Sequence, residues 1–320
     1  MPTLNISEEA LLPYRVGGLL YMPAFHPTAA QKILSGSIPY LTAAAFCLED
    51  SVADDALESA EKALREALRL LQNAAKPLPL LFVRVRSPQH LSKIRAFLRE
   101  EESLLTGYIL PKFDLSNCEA YLDALCSSGG NAQIRAMPIL ETEDAVRPAS
   151  LDRLKQLLDS RKERILNIRI GGNDLCSRYG LRRGIRESIY EIGVVRDALV
   201  RIAAVFSADY VVSAAVWEYF GEDPDGLWAA GLRRELALDR LNGFTGKTAI
   251  HPAQLPVIYD AMRVPQSDYQ DALRILSAPY GASGVEKSAD GSRMNEWKCH
   301  TKWAERICKL AQIYGCKEDS

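Results

Sequence analysis

Acidic and basic side chains follow short apolar runs along this chain, and their types suggest a site that holds a metal ion and an anion together. Glu141 and Asp174 offer the carboxylate oxygens that Mg²⁺ prefers, with water and substrate completing the coordination. The planar guanidinium of Arg84 can make two contacts with a carboxylate, or contact a thioester oxygen. A cation and an arginine beside a carbonyl stabilise the enolate that forms when an adjacent carbon–carbon bond breaks. The pattern predicts a metal-dependent lyase or aldolase.

Further candidates follow the same kind of apolar run, although each also has a structural interpretation. The candidates for catalysis are Arg84, Glu49, Asp50 and Lys112. The candidates for substrate binding are Arg84 again, with His26, Arg86, Gly172 and Asn173. Asp50 and Asp174 could equally cap the helices that follow them. Lys112 and Arg86 could instead neutralise neighbouring acids. His26 precedes a proline and could fix a turn.

These residues are positioned by an alternation of two kinds of segment. Short runs rich in Val, Ile and Leu alternate with longer segments of helical period, which predicts repeated strand–helix units around a parallel sheet. The predicted strands are residues 19–22, 43–48, 80–85, 107–110, 135–139, 165–170, 210–213 and 248–250. The predicted helices are residues 53–73, 88–101, 116–127, 144–160, 185–206 and 223–241. Eight such strands over roughly 250 residues indicate a single (β/α)₈ TIM barrel, whose reactive groups stand at the carboxyl ends of its strands.

The alternation stops near residue 265, and the rest of the chain has a different character. A Gly/Ser-rich stretch at residues 277–292 leads into a final predicted helix at 295–314. This segment is too short to form a core of its own. We therefore expect a barrel domain at residues 1–265 and a helical extension at 266–320 that covers the rim of its own barrel or of a neighbouring subunit. Such an arrangement predicts a closed homo-oligomer.

Composition excludes several classes of function. The chain has 320 residues, 48% of them hydrophobic, and a formal net charge of −2 without a basic block, so we expect no nucleic-acid partner. No stretch reaches the ~18 apolar residues of a membrane span, and residues 1–15 lack the pattern of a signal peptide. The seven cysteines form no CxxC pair, which argues against disulfides and a zinc site. A cytoplasmic protein with reduced thiols is the expectation.

Seven sequence blocks carry a family resemblance. They are YMPAFHP at 21–27, FCLEDSV at 46–52, FVRV at 82–85, LPK at 110–112, ILET at 139–142, GGNDL at 171–175 and GKTAIHP at 246–252. In this order, each at a strand end, they resemble the HpcH/HpaI aldolase and citrate lyase β-subunit superfamily, which includes malyl-CoA lyases. The stretch 213–220 and the block 294–300 look more like the divergent carbon–carbon bond lyases encoded in bacterial tellurite-resistance and stress gene clusters.

The resemblance implies roles for particular residues. It implies that Glu141 and Asp174 hold Mg²⁺ and that Arg84 contacts the carbonyl and carboxylate of the substrate. In the family's coenzyme A lyases a C-terminal acid of a neighbouring subunit completes the site, and Glu296 is the nearest match here. The resemblance also implies a homotrimer. Family members usually carry aspartate where this chain has Cys47, so neither citrate nor malyl-CoA follows as the substrate.

Three functions are open at this point. The first is cleavage or formation of a small hydroxy acid or its thioester, with or without coenzyme A. The second is a non-catalytic barrel that binds an anionic metabolite within a multi-enzyme assembly. The third is an aldolase for 2-oxo acids such as pyruvate, which would use the same metal and arginine. The combination of Glu141, Asp174 and Arg84 favours catalysis, because a binding module has no need of a metal pair and an arginine together.

Overall fold

A computed structural model describes residues 6–127, 131, 133–277, 284–288 and 291–319. The chain divides into two compact units: residues 16–258 form one, and residues 1–15 together with 259–320 form the other. The α-helices, in chain order, are α1 (Glu8–Arg15), α2 (Ala29–Ser35), α3 (Leu57–Leu71), α4 (Pro88–Phe97), α5 (Cys118–Cys126), α6 (Pro148–Asp159), α7 (Gly172–Ser177), α8 (Gly193–Phe206), α9 (Leu227–Leu241), α10 (Gln254–Met262), α11 (Gln266–Ser277) and α12 (Trp297–Tyr314).

Eight parallel strands form the barrel of the larger unit, as predicted. They are β1 (Gly18–Pro23), β2 (Ala43–Cys47), β3 (Leu80–Arg84), β4 (Gly107–Leu110), β5 (Arg135–Leu140), β6 (Ile168–Ile170), β7 (Val212–Ser213) and β8 (Lys247–Ala249). From β1 to β7 each strand pairs with the next in sequence, and β1 also pairs with β8. Between β7 and β8 the circle is closed by a bridge from Ala214 to Lys247. The predicted TIM-barrel fold is confirmed.

The barrel is held by apolar side chains on both sides of its wall. The alanines of β2 are completely buried, and so are Phe82 and Val83 of β3. Helix α3 buries Ala60, Leu64, Leu68 and Leu71 on one face, the i, i+4 series expected of an amphipathic helix. Because the side chains along the strands are mostly apolar and buried, polar side chains come together at the carboxyl ends of the strands. The candidate residues lie there.

Several predicted boundaries were wrong by three to eight residues. The helix predicted from residue 53 begins at Leu57, because Asp54–Ala56 forms a 3₁₀ turn. The helix predicted from residue 185 begins at Gly193, after a second 3₁₀ turn at Ile189–Glu191. The sixth strand begins at Ile168 instead of 165, and Ile165 makes only an isolated bridge to Ala136. Helical and strand periodicity does not distinguish a short 3₁₀ turn or a bridge from the regular element beside it.

The smaller unit joins the two ends of the chain. Helices α11 and α12 pack together around Ala272, Ile275, Ala304 and Ile307, and the Tyr314 hydroxyl donates to the Tyr14 carbonyl at 2.7 Å. The short strands are β9 (Val264–Pro265), β10 (Val285–Lys287), β11 (Met294–Glu296) and β12 (Cys316–Lys317); β9 pairs with β12, and β10 with β11. Of the predicted Gly/Ser-rich stretch, residues 278–283 and 289–290 lie outside the described residues. The expectation that this segment covers a barrel rim stays a prediction.

Within the described ranges, no helix combines the length and the apolar composition that a membrane span requires.

Candidate functional site

A cavity of about 430 Å³ opens at the carboxyl ends of the barrel strands. This is a volume suited to a small ligand. Six of the predicted site residues line it: Asp50, Arg84, Glu141, Gly172, Asn173 and Asp174. Tyr21, Cys47, Arg169 and Thr248 line it as well, and sequence reasoning had not selected any of these four.

Glu141 and Asp174 form an acidic pair in the cavity. Glu141 follows β5 and is only 7% exposed, whereas Asp174 lies in the first turn of α7 and is exposed. Burial raises the pKa of Glu141 to about 8, with the negative charge of Asp174 as the second cause. A buried carboxylate beside another carboxylate is electrostatically costly without a cation. Among the described residues no basic side chain forms an ion pair with either carboxylate, so the pair offers two oxygen donors to a bound cation.

Two backbone features hold the Glu141 carboxylate in this position. The amide of Lys112 donates to Glu141 Oε1 at 2.7 Å. On the other side, a Cβ atom at Gly171 would lie 1.8 Å from Glu141 Oε2, so a side chain at that position would displace the carboxylate. Lys112 has a φ of 48°, in the left-handed region that residues with a side chain rarely adopt. Such local strain is typical of functional sites.

Arg84 is the last residue of β3, and its guanidinium is surrounded by acceptors. Its Nη1 atom lies 2.9 Å from Glu49 Oε2 and 3.2 Å from Asp50 Oδ2. Its Nε and Nη2 atoms each lie 3.1 Å from Cys47 Sγ. Its carbon Cζ is 5.1 Å from the centre of the Tyr21 ring. These contacts orient the guanidinium in the cavity.

Glu49 lies beneath Arg84 and joins it to Lys112. The Lys112 ammonium donates to Glu49 Oε1 at 2.9 Å and forms a longer ion pair with Asp50 Oδ1 at 3.9 Å. Burial raises the pKa of Glu49, while Arg84 and Lys112 oppose that shift. Neither Glu49 nor Lys112 is among the residues that line the cavity. Their contacts are those of side chains that support Arg84 and the loop around it.

The other predicted residues have different surroundings. Arg86 donates to the carbonyls of Leu48, at 2.6 Å, and of Val52, and pairs with Asp54. Its guanidinium thus braces the loop after β2 and does not line the cavity. His26 accepts from the amide of Thr28 through Nδ1 at 3.3 Å, as a turn-fixing histidine would, and is also outside the cavity lining.

Two more predicted residues have structural contacts. Gly172 lines the cavity, and a Cβ there would lie 2.5 Å from Ala215 Cβ, so close packing alone explains the glycine. Glu296 belongs to the smaller unit, where it precedes α12 and its amide donates to His300 Nδ1 at 3.0 Å. Its predicted role in a neighbouring subunit's site stays a prediction.

The donor set fits a hard divalent cation such as Mg²⁺. Across the part of the chain that the structure describes, no group of three or more His, Cys, Asp or Glu side chains is arranged to hold a metal. Mg²⁺ does not need such a group, because it is usually held by one or two carboxylates and completes its octahedron with water and substrate oxygens. Glu141 and Asp174 meet that requirement in a cavity with room for the other ligands.

Arg169 is the principal residue that sequence reasoning missed. It lies in β6, is 1% exposed and donates to Thr248 Oγ1 at 2.6 Å. One signal in the sequence could have revealed it: a charged residue stands between two isoleucines in the sixth strand, where an apolar residue is expected.

Solved structures of low sequence identity share this fold. A citrate lyase from Burkholderia xenovorans LB400 has a TM-score of 0.72 at 17% identity, covering 95% of this chain and 94% of that one. CitE from Mycobacterium tuberculosis, in complex with magnesium, acetoacetate and coenzyme A, has a TM-score of 0.60 at 22% identity, covering 93% and 99%. RipC from Yersinia pestis has a TM-score of 0.55 at 21% identity, covering 78% and 95%. Likenesses at these identities establish the fold alone.

Sequence comparison establishes the family. No curated protein sequence matches the chain significantly. The family model for carbon–carbon bond lyases of the TIM-barrel fold matches residues 10–316, nearly the whole chain. The predicted resemblance and the predicted enzyme class are thereby confirmed, and the chain belongs to the family of TIM-barrel carbon–carbon bond lyases.

Proposed function

We propose that this protein is a Mg²⁺-dependent lyase or aldolase that cleaves or forms a carbon–carbon bond in a small hydroxy acid or its thioester. The observation that carries the proposal is the pair formed by buried Glu141 and exposed Asp174 in the same cavity as Arg84. Two carboxylates that form no ion pair with a described basic side chain are suited to a metal, and the arginine in the same cavity is suited to an anionic oxygen. Family membership agrees with the reaction class.

Glu141 and Asp174 would hold the metal through their carboxylate oxygens. When bound, Mg²⁺ would polarise a substrate carbonyl and stabilise the negative charge that develops on its oxygen. Arg84 would contact the same oxygen or the adjacent carboxylate from the β3 side of the cavity, where its planar group allows two parallel hydrogen bonds. The metal and the Arg84 guanidinium would both stabilise negative charge that is greatest in the transition state. Contacts that are stronger in the transition state than in the bound substrate accelerate a reaction.

Glu49, Asp50 and Lys112 would position Arg84. Glu49 and Asp50 contact its Nη1 atom from the loop after β2, and Lys112 holds Glu49 from the loop after β4. This arrangement restricts the rotamers of a long side chain and so reduces the entropy lost on binding an anion. We assign Arg86 to the same support, because its guanidinium fastens the backbone on which Glu49 and Asp50 stand.

The ligands of related structures suggest the class of substrate. The Mycobacterium tuberculosis relatives were solved with magnesium together with acetoacetate and coenzyme A, with pyruvate, or with oxaloacetate. All of these acids are small oxo acids, and each would fit a cavity of about 430 Å³. A 2-oxo acid as product or substrate is therefore the first choice, and coenzyme A would be used only if the substrate is a thioester.

The smaller unit would complete the site in an assembly. We assign to it the covering of a barrel rim, with Glu296 as the acid that a neighbouring subunit contributes, and a homotrimer as the assembly. Static light scattering at micromolar concentration tests this, and a monomer there would contradict it.

The decisive experiment measures metal binding and proton abstraction separately. Isothermal titration calorimetry with Mg²⁺ and pyruvate should give binding to the wild type that weakens at least ~10-fold in Glu141→Gln and in Asp174→Asn. Glu143→Gln is the matched control, since Glu143 pairs with Arg178 at 2.9 Å and does not line the cavity. Unchanged Mg²⁺ binding in both cavity variants would exclude the metal site.

Exchange of the pyruvate methyl protons in D₂O, followed by NMR, then separates an enzyme from a binding module. An enzyme that forms an enolate should exchange these protons only with Mg²⁺ present. A barrel that merely binds anionic metabolites would bind pyruvate without exchange, and that outcome would favour the non-catalytic function.

A further inference from the structure

Arg169 differs from the other buried cations of the barrel unit. Arg95 lies 2.8 Å from a Glu102 oxygen and Lys247 lies 2.9 Å from a Glu235 oxygen, so each has a carboxylate partner. Among the residues that the structure describes, Arg169 has no such partner: its Nη2 atom donates to the Thr248 hydroxyl, and its Nε and Nη1 atoms have no hydrogen-bond acceptor. A buried polar group without a partner costs about 1–3 kcal/mol, and more when it is charged.

The nearest ionisable side chain does not neutralise this charge. The Tyr21 oxygen accepts a hydrogen bond from Arg169, and the Tyr21 side chain also adjoins Arg84. Burial raises the pKa of the Tyr21 phenol above its ordinary value of 10.0, although the two arginines oppose the shift. The phenol is therefore neutral near pH 7, whereas an arginine stays charged in proteins. Arg169 thus presents an uncompensated positive charge to a cavity that it helps to line.

Arg169 also lies deeper in the barrel than the proposed metal site. Leu140 pairs with Ile170, so Glu141 is level with Gly171, and Arg169 comes two residues earlier in β6. Two residues of strand correspond to about 7 Å along the strand direction. Thr248, which fixes the guanidinium, pairs with Leu19 near the start of β1, whereas Arg84 lies level with Cys47 and hence with Pro23 at its end. Counted across β4 and β5 instead, Arg84 is level with Met137, two residues before Ile139, which pairs with Arg169. Both arginines therefore lie deeper than the proposed metal site.

We propose that Arg169 and Thr248 form a carboxylate-binding subsite deeper in the cavity than the metal site, and that the substrate is a diacid whose second carboxylate binds there. The inference rests on the proposed function, in which the metal and Arg84 act on the reacting end of the substrate and leave Arg169 without a task. A carboxylate bound there would accept hydrogen bonds from the Nε and Nη1 atoms of Arg169, which have no acceptor among the described residues, and its negative charge would compensate the guanidinium. The subsite would orient the substrate with its scissile bond toward the metal site.

The test compares two ligands that differ in one group, malate and its 4-amide malamate, by calorimetry on the full-length protein with excess Mg²⁺. Wild type should bind malate at least ~10-fold more tightly than malamate, since a charge-assisted pair is exchanged for a neutral one. Arg169→Met should bind the two ligands equally. Arg169→Gln, which keeps a donor for Thr248, should do the same and guards against a folding defect. Arg178→Met, a rim arginine outside the cavity lining, is the control and should keep the preference.

The outcomes separate this inference from the proposed function. The subsite is overturned if wild type binds malate and malamate equally. It is also overturned if Arg169→Met keeps the preference for malate. Failure of malate to bind with and without Mg²⁺ also overturns it. Mg²⁺-dependent binding of pyruvate in the same protein would meanwhile leave the proposed function intact. Conversely, malate that stabilises wild type but not Arg169→Met in EDTA supports the subsite even if no Mg²⁺ binds.

Discussion

Arg169 and Lys247 are both fully buried cations of the same barrel, and their surroundings are opposite. Lys247 donates to Glu235 Oε1 at 2.9 Å and to Asp239 Oδ2 at 2.8 Å, beneath α9. Arg169 lines a cavity, and its neutral partners are the Thr248 hydroxyl and the Tyr21 phenol; no carboxylate of the described residues pairs with it. A buried charge that is fully paired belongs to the folded structure, because losing its partners would be costly. A buried charge without a counter-ion indicates a ligand, because folding alone gains nothing from it.

The largest effect is expected at Lys247, where a substitution should lower the folding stability. Lys247→Met removes the cation and leaves Glu235 and Asp239 buried with less compensation, although Arg183 lies 3.6 Å from Glu235. Breaking a buried ion pair in this way typically costs about 3–5 kcal/mol. Urea unfolding should show that loss, whereas Arg169→Met should be as stable as wild type or more stable. Equal destabilisation of the two variants would remove the distinction between them.

A change at Arg84 tests the proposed reacting end of the cavity. Arg84→Lys keeps the charge and loses the planar group that makes two parallel contacts. Loss of a donor to a developing oxyanion lowers the rate by about 10²–10³. The rate of Mg²⁺-dependent proton exchange in pyruvate should fall by that factor, while the melting temperature barely changes. Near-normal exchange would exclude Arg84 from the mechanism, and a large loss of stability would make it a structural ion-pair residue like Lys247.

Gly171 allows the acidic pair to be disturbed without removing a carboxylate. Gly171→Ala puts a methyl group where Glu141 Oε2 now lies, 1.8 Å from the new Cβ. The displaced carboxylate should bind Mg²⁺ at least ~10-fold more weakly. Gly193→Ala is the matched control, because nothing lies within 4 Å of its Cβ position. Calorimetry that finds the same Mg²⁺ affinity in both variants would contradict the role of Glu141 as a ligand.

The smallest expected effect concerns His90, a buried group that is fully paired like Lys247. Its Nε2 atom lies 3.0 Å from Glu61 Oε1, and its Nδ1 atom accepts from the Arg86 amide at 3.1 Å. Burial lowers the pKa of His90 from its ordinary value of 6.5, with Glu61 opposing the shift and Lys93 and Arg86 adding to it.

The unfolded chain therefore takes up this proton at a higher pH than the folded protein does. Folding stability contributed by neutral His90 is present above pH 6.5 and is lost as the pH falls below that value. Between pH 7.5 and 5.5, the melting temperature of wild type should fall more steeply than that of His90→Gln. Parallel curves would show that His90 does not titrate differently in the two states.

The residues at strand ends were accessible from the sequence because they depend on local order. Eight apolar runs were enough to predict the barrel, and the residues after those runs included Arg84, Glu141 and Asp174, which the structure brings to one cavity. Arg86 and His26 follow the same kind of run, yet their side chains turn to nearby backbone. A residue that follows a strand is placed at the carboxyl end of the barrel by its position in the sequence. Whether its side chain points into the cavity depends on the contacts around it.

Sequence by itself determined the fold class, the family and most of the acids and bases at the rim, since strand periodicity and block order are properties of neighbouring residues. Only the tertiary structure decided which buried cation is paired. Lys247 contacts Glu235 and Asp239 because α9 packs against β8. Arg169 lines the cavity instead, and no acid in the described part of the chain pairs with it. Whether a charge is compensated depends on elements far apart in the chain, so it becomes visible only when those elements come together.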